Sequence, residues 1–229
     1  MKRPVILVVD DEPRYLEVIR ANLEASGYAV CTAPDGRAAL DAVDQRDPDL
    51  VLLDVRLPDV DGFTVCGRIR ADSSVPIIFL TAKAEDADKV RGLRLGGDDY
   101  VTKPFSATEL VARVQAVLRR TRFPHELHEG TPFQRGELRI DFAAHRVTVR
   151  GEDVPLTPTE FGLLRLLAGN AGRVLVQDEL LRQVWGPGYE GDGDLLRTAI
   201  RRLRQKIEPP DGRPVYVLTE RGIGYRFAG

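Results

Sequence analysis

The chain has 229 residues and a mass of 25.4 kDa, a length that allows one or two domains. Its 33 Lys+Arg nearly balance its 35 Asp+Glu, which excludes a uniformly basic nucleic-acid coat but leaves room for a local basic face. No run of roughly 18 apolar residues predicts a membrane span, MKRPVILVVDDEP lacks the form of a signal peptide, and Cys31 and Cys66 are too few for a disulfide framework. A cytoplasmic location is the expectation.

In chain order, short apolar runs predict strands at 5–9 (VILVV), 29–33, 50–53 (LVLL), 76–80 (PIIFL) and 100–102. Helical spacing predicts helices over 14–26, 36–46, 61–71, 84–95 and 106–120. Leu16, Ile19 and Leu23 share one face of the first helix, and Gly27 stops it. Five strands alternating with five helices predict a parallel sheet covered on both faces, an α/β domain. The rhythm ends near Arg120. Residues 122–134 carry Pro, Gly and His without a period and read as a linker. Beyond it, short strands with polar turns are expected over 137–154, then helices over 157–170, 177–185 and 194–208. Strands at 215–218 and 225–227 close a smaller α+β domain. The expected division is 1–121, a linker over 122–134, and 135–229.

The predicted strand ends carry unusual chemistry. The first ends in Asp10, Asp11 and Glu12, the third in Asp54, the fourth in Thr81 and the fifth in Lys103. Ligands of doubly wound sheets bind outside the carboxyl ends of strands, so these groups converge on one edge. Clustered carboxylates repel one another unless a cation sits among them, and hard oxygen ligands suit Mg²⁺. A carboxylate there can attack phosphorus, with Mg²⁺ and a lysine neutralising the transferred oxygens.

VVDDEP, DLVLLDVRLPDVDGF, PIIFLTA and GGDDYVTKPF resemble the receiver domain of two-component response regulators across residues 3–121. The resemblance implies a flavodoxin-like fold with Asp54 as acceptor of phosphate from a sensor histidine kinase. It implies Mg²⁺ held by Asp11, Asp54 and the Arg56 backbone carbonyl, with Asp10 acting through water. Lys103 would pair with the phosphoryl group, and Thr81 and Tyr100 would form a switch pair. By the pattern of the OmpR/PhoB branch, Lys89 would pair with Glu109, Asp99 with Arg113 and Asp98 with Arg120 across a homodimer. Leu93 and Val111 would form its apolar centre.

In the last predicted helix, Leu196, Ile200, Leu203 and Ile207 fall in one stripe. Thr198, Arg201, Arg202 and Gln205 are expected to point away, with Arg197 and Arg204 on one flank, Lys206 on the other and no acidic partner. Arginines and short polar groups on an outward helix face suit a DNA major groove, where flanking cations hold phosphates. Arg221, on the Gly-rich hairpin turn, suits a minor groove.

LTPTEFGLLRLLAGNAGRVLVQDELLRQVWG, IRRLRQKIE and GIGYRF resemble the winged-helix effector domain of the OmpR/PhoB response regulators over about 135–228. The resemblance implies recognition by the helix over 194–208, Arg221 on the wing, and a loop over 187–193 that meets RNA polymerase. Arg197, Thr198 and Ala199 depart from the common pattern of that branch. The expected function is phosphorylation-driven dimerisation on tandem half-sites of double-stranded promoter DNA, not enzymatic turnover. Two alternatives stand beside it. One is a constitutive dimer that binds DNA without phosphate. The other is an aspartyl-phosphate phosphohydrolase, against which stands the absence of a second carboxylate in Asp54-Val55-Arg56.

Overall fold

Five strands with unbroken apolar faces build the first unit. The computed structural model describes residues 3–82, 86–121, 132–210 and 213–229, and it divides into two compact units, Met1–Arg119 and Arg120–Gly229. The first holds β1 (Val5–Val9), α1 (Pro13–Ala25), β2 (Ala29–Ala33), α2 (Gly36–Arg46), β3 (Leu50–Asp54), α3 (Gly62–Asp72), β4 (Ile77–Ala82), α4 (Asp86–Leu95), β5 (Asp99–Lys103) and all but the last two residues of α5 (Ala107–Thr121). All strand pairs are parallel, in the order β2-β1-β3-β4-β5.

Side chains alternate across a strand, so each apolar run supplies two cores. Ile6, Val8, Leu50, Leu52, Ile78 and Leu80 pack against α1 and α5 on one face. Leu7, Val9, Val51, Leu53, Ile77 and Phe79 pack with Phe63, Val65 and Ile69 of α3 on the other. The strand order reverses at β1, so the crevice of this fold opens at the carboxyl ends of β1 and β3. The start of α3 presses against the end of β3. Gly62 N–H donates to the Val55 carbonyl at 2.9 Å, and a Cβ on Gly62 would collide with the Asp54 carbonyl oxygen. Gly62→Ala should therefore destabilise this unit by about 1–3 kcal/mol, the usual cost of overpacking. A thermal melt that leaves the variant level with wild type would contradict that close approach.

The second unit opens with an antiparallel sheet in the order β6-β7-β8-β9. Its strands are β6 (Phe133–Arg135), β7 (Leu138–Asp141), β8 (Arg146–Val149) and β9 (Glu152–Asp153). Then come α6 (Pro158–Gly169), β10 (Val174–Val176), α7 (Gln177–Val184), α8 (Gly193–Ile207), β11 (Val217–Glu220) and β12 (Gly224–Phe227). Strands β10, β12 and β11 form a second antiparallel sheet. Two elements differ from expectation. β6 lies partly inside the expected linker, because Phe133 pairs with Ile140 and sets its ring edge-on to Phe227 at 5.5 Å. β10 was not expected, since three residues are too few to show a period. The rest of the expected linker, 122–131, lies outside the described residues. The two units are the expected α/β flavodoxin-like fold and an α+β winged helix-turn-helix fold. Among the described residues no helix is long and apolar enough to cross a membrane.

Candidate functional site

The parallel register brings the ends of β1, β3 and β5 together. Carboxylate oxygens of Asp10, Asp11 and Asp54 all lie within 4.8 Å of one another. Asp10 and Asp54 are buried and Asp11 is exposed. Lys103 bridges the buried pair, with Nζ 2.6 Å from Asp10 Oδ2 and 2.5 Å from Asp54 Oδ2. The remaining oxygens take backbone donors: Glu12 N–H reaches Asp10 Oδ1 at 3.0 Å, and Arg56 N–H reaches Asp54 Oδ1 at 3.1 Å. Lys103 is joined to Pro104 by a cis peptide bond.

Burial pushes the Asp54 carboxyl above the usual aspartate range. The Lys103 hydrogen bond and the Arg56 amide oppose that shift, and the Asp10 charge adds to it. Burial alone would lower Lys103, but its bonds to Asp10 and Asp54 outweigh burial and hold the ammonium above the usual lysine value. Three convergent carboxylates, two of them buried around a single ammonium, are a hard-oxygen set that fits a divalent cation such as Mg²⁺.

Thr81 is buried at the end of β4, and its hydroxyl donates to the Ala82 carbonyl at 3.0 Å. Tyr100 is half-buried against the α3 face of the sheet, with the Arg113 guanidinium 5.9 Å from its ring centroid. Arg56 is exposed.

The expected dimer residues fall into different settings. The Lys89 side chain lies outside the described residues. Leu93 is buried within the unit, and Val111 packs against the core beneath α5. Arg113 bonds Asp99 and Glu109 of its own chain, each at 3.3 Å. Asp98 and Arg120 do not stand ready as an exposed pair. Asp98 is buried, takes Arg70 at 3.0 Å and accepts from Ile77 N–H at 3.1 Å. Arg120, the first residue of the second unit, is buried; it donates to the Val184 carbonyl at 2.8 Å and to Thr159 Oγ1 at 3.1 Å.

On α8 two residues depart from their expected places, and two on the flanks are engaged within the unit. Thr198 and Arg202 do not point outward; both are buried. Arg202 pairs at 2.8 Å with Glu160, a buried carboxylate of α6 that also takes Lys206 at 2.7 Å. A helix-wheel plot omits the neighbouring helix, and α6 covers this flank. Lys206 also donates to the Pro155 carbonyl at 2.8 Å. Arg204 is half-buried and donates to the Val217 carbonyl and to Thr219 Oγ1, which ties α8 to β11. Arg197, Arg201 and Gln205 remain exposed, and Arg197 pairs with Asp194 at 2.6 Å. With Arg213 and Tyr225 they line one open groove. Arg221 is exposed on the β11–β12 turn, where Gly222 adopts φ +73°.

Sequence reasoning missed Glu160. Its signal is the one acidic residue in the apolar helix PTEFGLLRLLAG, at the third position of a capping box with Thr157.

Known proteins match this arrangement in both units. The family model for the response regulator receiver domain matches residues 6–115, and that for the C-terminal part of transcriptional regulatory proteins matches 151–227. The transcriptional regulatory protein KdpE of Mycobacterium tuberculosis is 43% identical over 223 residues, 97% of this chain and 98% of that protein. The DNA-binding response regulator MtrA of Mycolicibacterium smegmatis is 46% identical over 224 residues, 98% and 96% of the two chains. Among solved structures, the OmpR/PhoB homologue DrrB of Thermotoga maritima is 33% identical, with a TM-score of 0.53 and full coverage of both chains.

Proposed function

The chain belongs to the OmpR/PhoB family of response regulators, and from that premise we propose that Asp54 accepts a phosphoryl group from a sensor histidine kinase. It is a DNA-binding regulator of transcription. The observation that carries the proposal is the placement of Asp54. Its carboxylate is buried at a strand end, beside Asp10 and Asp11, with one oxygen on Lys103 and the other on the Arg56 amide.

In the proposed transfer an Asp54 oxygen bonds the phosphorus of a phosphohistidine, the N–P bond breaks, and the imidazole leaves with its electron pair. Lys103 gives up its bridge to meet a phosphoryl oxygen. The Thr81 hydroxyl turns from the Ala82 carbonyl to another, and Tyr100 follows inward. Asp10, Asp11, Asp54 and the Arg56 carbonyl would hold Mg²⁺, which would supply charge neutralisation for the phosphoryl oxygens.

The phosphorylated receiver pairs with a second copy through the α4–β5–α5 face, with Val111, Glu109 and Arg113 on it. The paired winged-helix domains then occupy half-sites about 10–10.5 bp apart, a spacing of one helical turn. Arg197, Arg201 and Gln205 face the major groove, Arg221 the minor groove, and the loop before α8 meets RNA polymerase. The second contact is effectively intramolecular, so pairing raises affinity without new contacts.

Acetyl phosphate should label the wild type to one equivalent and leave Asp54→Ala unlabelled. In a selection from random DNA, the beryllofluoride-activated wild type should enrich a tandem repeat that Asp54→Ala does not. Labelling that survives Asp54→Ala would refute the phosphoacceptor. Equal enrichment by both proteins would make the receiver a dimerisation module that works without phosphate.

A further inference from the structure

Lys103 is held by more than its two carboxylates. Its ammonium has three N–H groups, and Asp10 and Asp54 occupy two of them. The nitrogen also lies 4.4 Å from the centroid of the Tyr15 ring, within cation–π range. Tyr15 is the third residue of α1 and is half-buried. Its ring is braced by Phe105, tilted at 48° with centroids 6.4 Å apart, two residues beyond Lys103. Tyr15 and Phe105 both pack against the α1–α5 core. One aromatic pair thus links the start of α1 to the segment after β5, and its ring takes a third side of the ammonium.

A ring face attracts a cation without offering it a proton acceptor that moves, whereas water offers both exchange and competition. An aliphatic side chain at this position would return that side of Lys103 to solvent. We propose that Tyr15 is a positioning residue of the phosphoryl pocket, whose ring keeps the Lys103 ammonium aimed at Asp54 and shuts water from that side, so that the aspartyl phosphate lasts longer. This rests on the reading of Asp54 as phosphoacceptor. The step it slows is hydrolysis. A water oxygen bonds phosphorus, the bond between phosphorus and the Asp54 oxygen breaks, the water proton goes to solvent, and inorganic phosphate leaves a free carboxylate.

The test uses the full chain as wild type, Tyr15→Phe, Tyr15→Leu and Tyr15→Met. In metal-free protein, exchange of the Lys103 ammonium protons with water is read by ¹⁵N NMR. It should quicken about fivefold in the Leu and Met variants, the scale of one cation–π contact, and stay near wild type in Tyr15→Phe. After acetyl phosphate labelling and removal of the donor, the phosphoryl half-life should shorten about fivefold in the same two variants and recover in Tyr15→Phe. A role in packing alone would lower the melting temperature and leave both rates unmoved. Rates equal to wild type in Leu and Met, or a Phe variant as fast as they are, overturn the proposal. A labelled wild type with unchanged variant half-lives overturns the proposal alone. A wild type that takes no phosphoryl group at Asp54 overturns the reading beneath it as well.

Discussion

Glu160→Ala should destabilise the second unit by about 3–5 kcal/mol, the cost of removing one partner from a buried ion pair. The Glu160 carboxylate is almost wholly covered. One oxygen meets Arg202 at 2.8 Å; the other takes Lys206 at 2.7 Å and Thr157 N–H at 2.9 Å. Alanine strips the buried Arg202 guanidinium of its carboxylate and opens the capping box of α6 in one change. Lys206 loses less, because a third of its side chain is exposed. Glu160→Gln keeps an acceptor for Thr157 N–H and should cost less than alanine. Trp185 is the single tryptophan and is fully buried in this unit, so its fluorescence reports this unfolding within the intact chain. A urea midpoint unchanged from wild type, at unchanged slope, would show that the pair contributes nothing. Because Arg202 and Lys206 both stand on α8, the variant should also lose DNA affinity at temperatures where it remains folded.

Lys103→Met applies the same physics to the first unit. Without the ammonium, Asp10 and Asp54 face each other inside the protein with no counter-charge. Metal-free protein near neutral pH should lose about 3–5 kcal/mol. The penalty should shrink in acid. The Asp54 carboxyl already sits above its ordinary value in the folded chain. Its contribution to stability is present below the unfolded value and is lost as pH rises through the folded one. Removing Lys103 raises Asp54 further, so the gap between variant and wild type should widen from acid toward neutrality. Circular dichroism melts in the presence of a chelator test this, set against the double variant Lys103→Met/Asp54→Asn. That double variant should recover much of the loss, a non-additivity expected of groups in contact. A loss that is flat with pH, or that the second substitution does not relieve, would count against the charge account.

Much of both units was legible because the pattern and the chemistry agree locally. VILVV, LVLL and PIIFL are buried on both faces, and their ends are fixed by the polar residue that follows. Parallel strands then bring Asp10, Asp54 and Lys103 to one edge from sequence order alone. Side-chain partners from distant elements were not legible. Asp98 looks like a surface acid until Arg70 of α3 is seen beside it. Arg202 looks outward until Glu160 of α6 is placed against it, and Thr198 until its burial is seen. Tyr15 reads as an ordinary helix residue, since its relation to Lys103 depends on how α1 meets the end of β5. Short elements failed for a different reason. β10 is three residues long, and pairing with β12 defines it more than its own pattern does.

The arrangement of α8 bears on how such a protein can be retargeted. Arg202, Lys206 and Arg204 are committed to α6 and β11, so a change at any of them is a change to the fold. Arg201 and Gln205 stand in solvent, and Arg197 pairs with the exposed Asp194 on its own helix. Mutational drift at these three positions meets little resistance from stability, whereas Glu160, Arg202 and Lys206 must change as a set. If α8 reads DNA as proposed, a library built on Arg197, Arg201 and Gln205 alone would explore new operator sequences while keeping the parent's foldedness. One that includes Arg202 would lose most of its members before any DNA is offered.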